Sequence, residues 1–212
     1  MQLDFNKTRE LLKKYRIPYS AVLCKKADDA ADEAKKLGFP VVLKISSADI
    51  IHKTEVAGVR LGINTEEELK LAYEEILKDV KKKKPKAKVQ GIIIQKQKTG
   101  KELIIGAKRD SQFGPVVMFG VGGIFVELIK DVSFRIAPIG RDTAKEMIEE
   151  IKLYPLLKGV RGEKPVNMND LIDVLVQTSK LIANEEKVIE VDFNPVFADH
   201  RTAEVVDARI IQ

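Results

Sequence analysis

The texture of this chain changes near residue 90, and that change limits its possible folds more than any other feature. Residues from Phe5 to Tyr15 read as a short helix ended by Ile17-Pro18. Strands and helices then alternate. Tyr19–Leu23 reads as a strand, and Asp28 or Asp29 can cap a helix through Lys36, with Gly38 just past its end and Pro40 blocking continuation. Val41–Ile45 and Val59–Ile63 read as strands, with a polar loop over residues 46–58 between them. Thr65-Glu66-Glu67-Glu68 is a capping box, and Leu69, Tyr73, Ile76 and Val80 mark one helical face behind it. Val89–Gln95 supplies a further strand. From there strands follow one another: Leu103–Ala107, Val116–Gly120 and Val132–Ala137, separated by Gly- or charge-rich turns. A helix begins near Asp142, another runs from Asn169 to Asn184, and the strands Val188–Phe197 and Ala203–Ile211 close the chain. Strands in blocks with helices outside them predict an α+β class. The expected division is an N-terminal helix in residues 1–18, a first lobe over 19–90 and a second over 91–212.

Composition removes several classes of function. The chain is 33% charged, above the usual quarter, and Lys and Glu supply most of the excess. Together with one Cys and no Trp, this fits a thermophile's protein. Cys24 stands alone, which excludes an internal disulfide or thiolate cluster and favours a reducing cytoplasm. No apolar run approaches the ~18 residues of a membrane span, and Met1 to Asn6 lacks the apolar core of a signal peptide. The net charge of +5 raises the question of nucleic acid. However, the clearest basic run, Lys81-Lys82-Lys83-Lys84-Pro85-Lys86, closes a helix, where cations complement the dipole, and no aromatic residues interleave it. A solvated helix end is the better reading.

Four places could carry chemistry. Lys44 lies inside the apolar strand Val41-Val42-Leu43-Lys44-Ile45; a buried ammonium needs a partner or a ligand, and strand alternation alone favours a solvated face instead. In Glu190-Val191-Asp192-Phe193-Asn194-Pro195, period two puts Glu190, Asp192 and Asn194 on one face. If the closing strands form a hairpin, Asn194 can lie across from Asp207, and a carboxylate with an amide oxygen suits Mg²⁺. An ordinary solvated hairpin face explains the same spacing equally well. His52, one of two histidines, sits in the polar loop beside Lys53 and Glu55; His200 lies in a turn and reads as solvated. The glycines of Phe119-Gly120-Val121-Gly122-Gly123-Ile124-Phe125-Val126-Glu127 could approach an anion, but the segment lacks the dinucleotide spacing and reads as a tight turn.

Taken in order, these segments resemble the β subunit of archaeal ADP-forming acetyl-CoA synthetase. The resemblance rests on Val41 to Ser46, Ile50 to Val59, Asp110 to Gly120, Gly122 to Glu127, Lys130 to Arg135, Arg161 to Asn167, Asp192-Phe193-Asn194-Pro195 and Val206-Asp207-Ala208-Arg209, and it covers nearly the whole chain. Ala57 departs from it, since a second glycine is usual there, and the chain starts closer to the first lobe than the family leads one to expect, as if an N-terminal extension were missing. The resemblance implies an ATP-grasp fold, in which two α+β lobes hold ATP or ADP. It implies the reversible conversion of acyl-CoA, ADP and phosphate to acid, ATP and CoA, with Mg²⁺ as cofactor and a CoA-binding α subunit as partner in an α₂β₂ assembly. Lys44 would contact the nucleotide phosphates, Gln95, Lys96 and Gln97 would form the hinge beside adenine, and Glu102 would hold the ribose. Asn194 and Asp207 would bind Mg²⁺. His52 would be a phosphohistidine, with Asp192 or Glu55 fixing its tautomer. Two other readings are a succinyl-CoA synthetase-type β subunit, against which the loop histidine argues, and a non-catalytic ATP-binding regulatory module, which would not need His52.

Overall fold

The computed structural model describes all residues except Ile51, residues 124–130 and Arg161. The matching segments of the chain that fall on these positions therefore lie outside the described residues, as does Ile124 to Glu127 of the Gly-rich stretch. The chain divides into two compact units, one of residues 20–97 and one of residues 1–19 with 98–212.

The smaller unit carries strands β1 (Val22–Cys24), β2 (Val41–Ser46), β3 (Val59–Ile63) and β4 (Gly91–Lys96), with helices α2 (Ala27–Leu37) and α3 (Glu66–Lys83). The sheet order is β1-β4-β2-β3, and every pairing is antiparallel. Val41, Leu43, Ile45, Ile92 and Ile94 alternate onto the face that meets Leu69, Tyr73 and Ile76 of α3 and Ala30 and Ala34 of α2. Helix α3 starts at the expected capping box: Thr65 Oγ1 accepts from the Glu68 amide at 3.1 Å, while the Glu68 carboxylate accepts from the Asn64 amide at 2.8 Å. Helix α2 starts earlier than the sequence reading placed it. Its N-cap is Lys26, which makes no side-chain cap, and Asp28 and Asp29 instead occupy the first turn, where carboxylates favour the helix dipole. Cys24 is buried, and burial pushes its thiol up to about 11.

The larger unit is built on β5 (Lys101–Asp110), β6 (Gly114–Val121), β7 (Val132–Ile136), β8 (Glu190–Ala198), β9 (Ala203–Val205) and β10 (Ala208–Ile211). The order is β10-β8-β5-β6-β7, with β9 also on β8. Helices α4 (Arg141–Glu149) and α6 (Met168–Asn184) cover one face, and a short α5 (Tyr154–Leu157) lies between them in sequence. Leu103, Ile105, Val117, Phe119, Val191 and Phe193 point at Met147, Ile148, Leu171 and Leu175 in a single core. The N-terminal helix α1 (Phe5–Lys14) belongs here rather than to a segment of its own. Leu3 donates to the Ile210 carbonyl at 2.8 Å, Val205 to the Pro18 carbonyl at 3.0 Å, and the Tyr15 hydroxyl to Glu185 at 2.8 Å. Nor does the division fall at residue 90. The strand read at 89–95 spans 91–96 and sits between β1 and β2, so the first unit extends to Gln97.

Candidate functional site

In the smaller unit Lys44 and Gln95 share one face of the sheet. Register sets Lys44 opposite Ile93 and Val42 opposite Gln95. All four lie on the side away from α2 and α3, and all four are buried, Lys44 at 7% exposure and Gln95 at 3%. The solvated face that alternation favours for Lys44 is therefore not what the fold provides. The Gln95 side-chain oxygen is buried without a hydrogen-bond partner among the described residues, an arrangement that costs free energy unless a ligand completes it. The Lys96 ammonium donates to the carbonyl of Gly38 at 2.8 Å and to that of Phe39, which holds the end of α2 against β4. Gln97 bonds at both ends: its amide donates to the Pro40 carbonyl at 3.1 Å, and its side-chain oxygen accepts from the Gly62 amide at 2.6 Å. The run Gln95 to Gln97 thus consists of one unsatisfied amide followed by two residues engaged in fixing the strand end.

His52 is exposed, but its loop is tied down on both sides. Ile50 and Val56 are buried in the core of the unit. Asp49 accepts from the Lys88 amide at 2.7 Å, and the Glu55 carbonyl accepts from the Lys83 ammonium at 2.9 Å. The turn closes with Gly58 donating to the Lys53 carbonyl at 2.7 Å and Ala57 to the Thr54 carbonyl at 3.0 Å. Ala57 takes φ 54°, the left-handed region, so the glycine expected there by resemblance has a steric reason. Gly58 tolerates no side chain, since a Cβ would lie 2.5 Å from an Ile45 methyl group.

In the larger unit the closing strands form the expected hairpin. Pairings Ala208 with Phe193 and Val205 with Val196 keep one register, so the link Val206-Asp207 faces Asn194-Pro195. The Asn194 amide donates to the Asp207 carbonyl at 3.2 Å, and Val206 donates to the Pro195 carbonyl at 3.0 Å. Residues so opposed have Cβ atoms ~5 Å apart. Ala203–Ile211 is thus two short strands with Asp207 in the break, not one continuous strand. The other partner of β8 explains why Asn194 is available. Leu103 pairs with Val196 and Ile105 with Phe193, so β8 has one residue more than β5 across this stretch. This bulge falls where Pro195 has no N–H to give. Val191 and Phe193 point into the core before it, and Val196 and Ala198 after it. Asn194 is exposed and Asp192 half-buried on the opposite side.

Register also identifies residues that spacing alone misses. Arg209 stands opposite Asp192, and a guanidinium N–H reaches toward Glu190 at 3.6 Å. Glu102, Phe197 and Glu204 form one row across β5, β8 and β9, in which the buried Glu204 pairs with Lys98. Gly122 donates to the Glu102 carbonyl at 2.8 Å, and a Cβ on Gly123 would lie 3.2 Å from the Glu102 carboxylate. The two glycines thus form a turn that leaves room for Glu102. Among the described residues no three His, Cys, Asp or Glu side chains converge as a metal cluster. Any cation held here would take few protein ligands, as Mg²⁺ does when phosphates and water complete its shell. No helix among the described residues is long and apolar enough to cross a membrane.

Two groups of candidate residues result: Lys44, His52, Gln95, Lys96 and Gln97 in the smaller unit, and Glu102, Asp192, Asn194 and Asp207 in the larger. The ATP-grasp domain family matches residues 1–211. The chain belongs to the ATP-grasp family. Within it, this ATP-grasp chain groups with ligase subunits. It is 46% identical over 205 residues to subunit beta of acetate–CoA ligase [ADP-forming] I from Pyrococcus furiosus, covering 96% of this chain and 88% of that subunit. It is 47% identical over 195 residues to acetate–CoA ligase [ADP-forming] I from Archaeoglobus fulgidus, covering 92% of this chain but only 28% of that longer protein. Its fold superposes with TM-score 0.94 at 44% identity on acetyl-coenzyme A synthetase 1 of Ca. Korarchaeum cryptofilum in complex with coenzyme A and Ca-AMPCP, covering 99% of this chain and 93% of that one. Another structure of the same enzyme, TM-score 0.84 at 40% identity over 99% of this chain and 92% of that one, holds coenzyme A and Mg-AMPPCP with its phosphohistidine segment pointing towards the nucleotide binding site.

Proposed function

We propose that this chain is the nucleotide subunit of an ADP-forming acyl-CoA synthetase, passing a phosphoryl group through His52 to ADP. The observation that carries this reading is His52 itself: an exposed imidazole on a loop fixed by buried Ile50 and Val56, directly after the strand of the buried Lys44. A regulatory ATP-binding module has no use for such a histidine. A CoA-binding partner subunit makes acyl phosphate and takes the phosphoryl group first. A ring nitrogen of neutral His52 then attacks phosphorus, the bond to the partner's donor breaks, and a P–N bond forms. In the second transfer that P–N bond breaks as the terminal oxygen of ADP bonds to phosphorus, returning a neutral imidazole. Lys53 offsets phosphate charge during the exchange. Glu55, three residues along the same turn, or Asp192 would hold the other ring nitrogen in one tautomer.

Lys44 binds the nucleotide phosphates, Glu102 the ribose, and the strand end Gln95 to Gln97 the adenine edge. The oxygens of Asn194 and Asp207 would hold Mg²⁺, which would supply positive charge against the phosphates. The hard-oxygen pair and its accessibility fit that ion.

Two results check this assignment. Gln95→Leu removes an amide whose oxygen has no partner, so the unligated chain keeps or gains thermal stability while ADP affinity falls about tenfold. Unchanged ADP affinity by calorimetry removes Gln95 from the site. The chain alone turns over no acyl-CoA, and ADP- and phosphate-dependent release of CoA appears when a CoA-binding subunit is added. Robust turnover by the isolated chain contradicts the subunit reading; an acid panel on the reconstituted pair then gives the acyl substrate.

A further inference from the structure

A cavity of about 580 Å³ lies beside the end of α1, walled in part by Arg9, Glu10, Lys13, Arg16, Pro18 and Tyr19. Its volume is in the range of small-molecule sites. Arg9, Lys13 and Arg16 fall at helical spacing, so one side of α1 and its C-terminal turn presents all three. Lys14, next to Lys13 but directed away, meets Glu185 at 2.6 Å. Among the described residues no ion pair engages Arg9, Lys13 or Arg16. Against the one carboxylate of Glu10, the three cations leave the wall with two net positive charges.

The backbone at Arg16 gives a second, separate observation. The Ile17 amide donates to the Leu12 carbonyl at 2.9 Å and the Arg16 amide to the Lys13 carbonyl at 3.1 Å, which is the Schellman ending of a helix. Arg16 occupies its left-handed position at φ 54°. Glycine adopts that conformation without steric cost, and an arginine does not. A long cationic side chain has been placed on a position that glycine suits better, and it lines the cavity.

We propose that this cavity binds a phosphate dianion. The guanidinium groups of Arg9 and Arg16 donate paired N–H bonds to its oxygens, Lys13 adds charge, and the Tyr19 hydroxyl donates one more bond. The Tyr19 ring is held against Phe5, with centroids 6.1 Å apart. Neither Lys44 nor Asn194 lines the cavity, while Asp207, a residue of the nucleotide reading, lies near Tyr19.

Two sources share this chemistry, free orthophosphate and the phosphomonoester of a larger molecule. The test is titration of the full chain with orthophosphate and, separately, phenyl phosphate, at low ionic strength without Mg²⁺, followed by calorimetry and ³¹P NMR. Saturable binding of one equivalent is expected. Arg16→Gly should weaken it at least about tenfold, the effect of losing one charge-assisted bidentate contact, while thermal stability is retained or raised because glycine suits the turn. Arg9→Gln should weaken it similarly, and Asn194→Ala and Lys145→Gln should leave it unchanged. Tighter binding of phenyl phosphate assigns the site to a phosphomonoester, and equal or weaker binding assigns it to free phosphate. The proposal is overturned if Arg16→Gly binds as the unaltered chain does, if Lys145→Gln weakens binding as much, or if Asn194→Ala abolishes it. It is equally overturned if neither phosphate saturates the chain while an acidic polypeptide does.

Discussion

Asp207→Asn lowers ATP formation from acetyl-CoA, ADP and phosphate by about two to three orders of magnitude in the reconstituted enzyme, the scale of losing several kcal/mol of charge stabilisation. The substitution keeps the side chain's shape and the backbone bonds that fix the hairpin, those from Asn194 to the Asp207 carbonyl and from Val206 to the Pro195 carbonyl. Folding should therefore be unaffected, with a melting temperature near that of the unaltered chain. What changes is the charge that offsets the metal's own. If Asp207 is a Mg²⁺ ligand, an amide oxygen in its place would coordinate more weakly, so raising Mg²⁺ should recover part of the activity. Assaying across a Mg²⁺ series separates this from a structural effect. Near-normal activity at low Mg²⁺ would remove Asp207 from the metal site.

The second large effect is expected at His52. His52→Ala should reduce ATP synthesis to background and leave ADP affinity as it was, because the imidazole is exposed and the loop's anchors, Ile50, Val56 and the Lys83 bond to Glu55, do not involve it. Phosphorylation of the partner subunit from acyl-CoA and phosphate should continue, since that step precedes the relay. Following labelled phosphate through the mutant pair distinguishes the two stages. Label reaching ADP at the usual rate would exclude the relay, and label failing to reach the partner would show that the mutation damages assembly instead.

Much of this fold was legible in the sequence because local signals govern it. The Thr65–Glu68 capping box starts α3 as expected, and the alternation through Glu190 to Asn194 sorts core from solvent up to Pro195. The bulge at Pro195, whose extra residue frees Asn194, appears only in the pairing of β8 with β5. What local signals could not supply was non-local pairing. The strand at 91–96 lies past the expected boundary at residue 90, yet it pairs with β1 and β2. Helix α1 looks like a separate leader, yet its neighbours include Ile210 and Glu185, far away in sequence. Strand alternation misleads at Lys44 for a similar reason. Alternation predicts one wet face for β2, and all six of its residues are buried. The pairing of Asp192 with Arg209 and the Glu102, Phe197 and Glu204 row likewise required the register.

The central claim is that a phosphoryl group resides on His52 between the partner subunit and ADP. It is tested most directly by incubating the assembled enzyme with terminally labelled ATP and Mg²⁺, quenching in alkali, and mapping the label by mass spectrometry of the separated chains. The account predicts acid-labile, alkali-stable phosphate on the peptide containing His52, discharged to ATP on adding ADP and absent from His52→Ala. Full activity accompanied by label on the partner subunit alone, with none on His52, would contradict it.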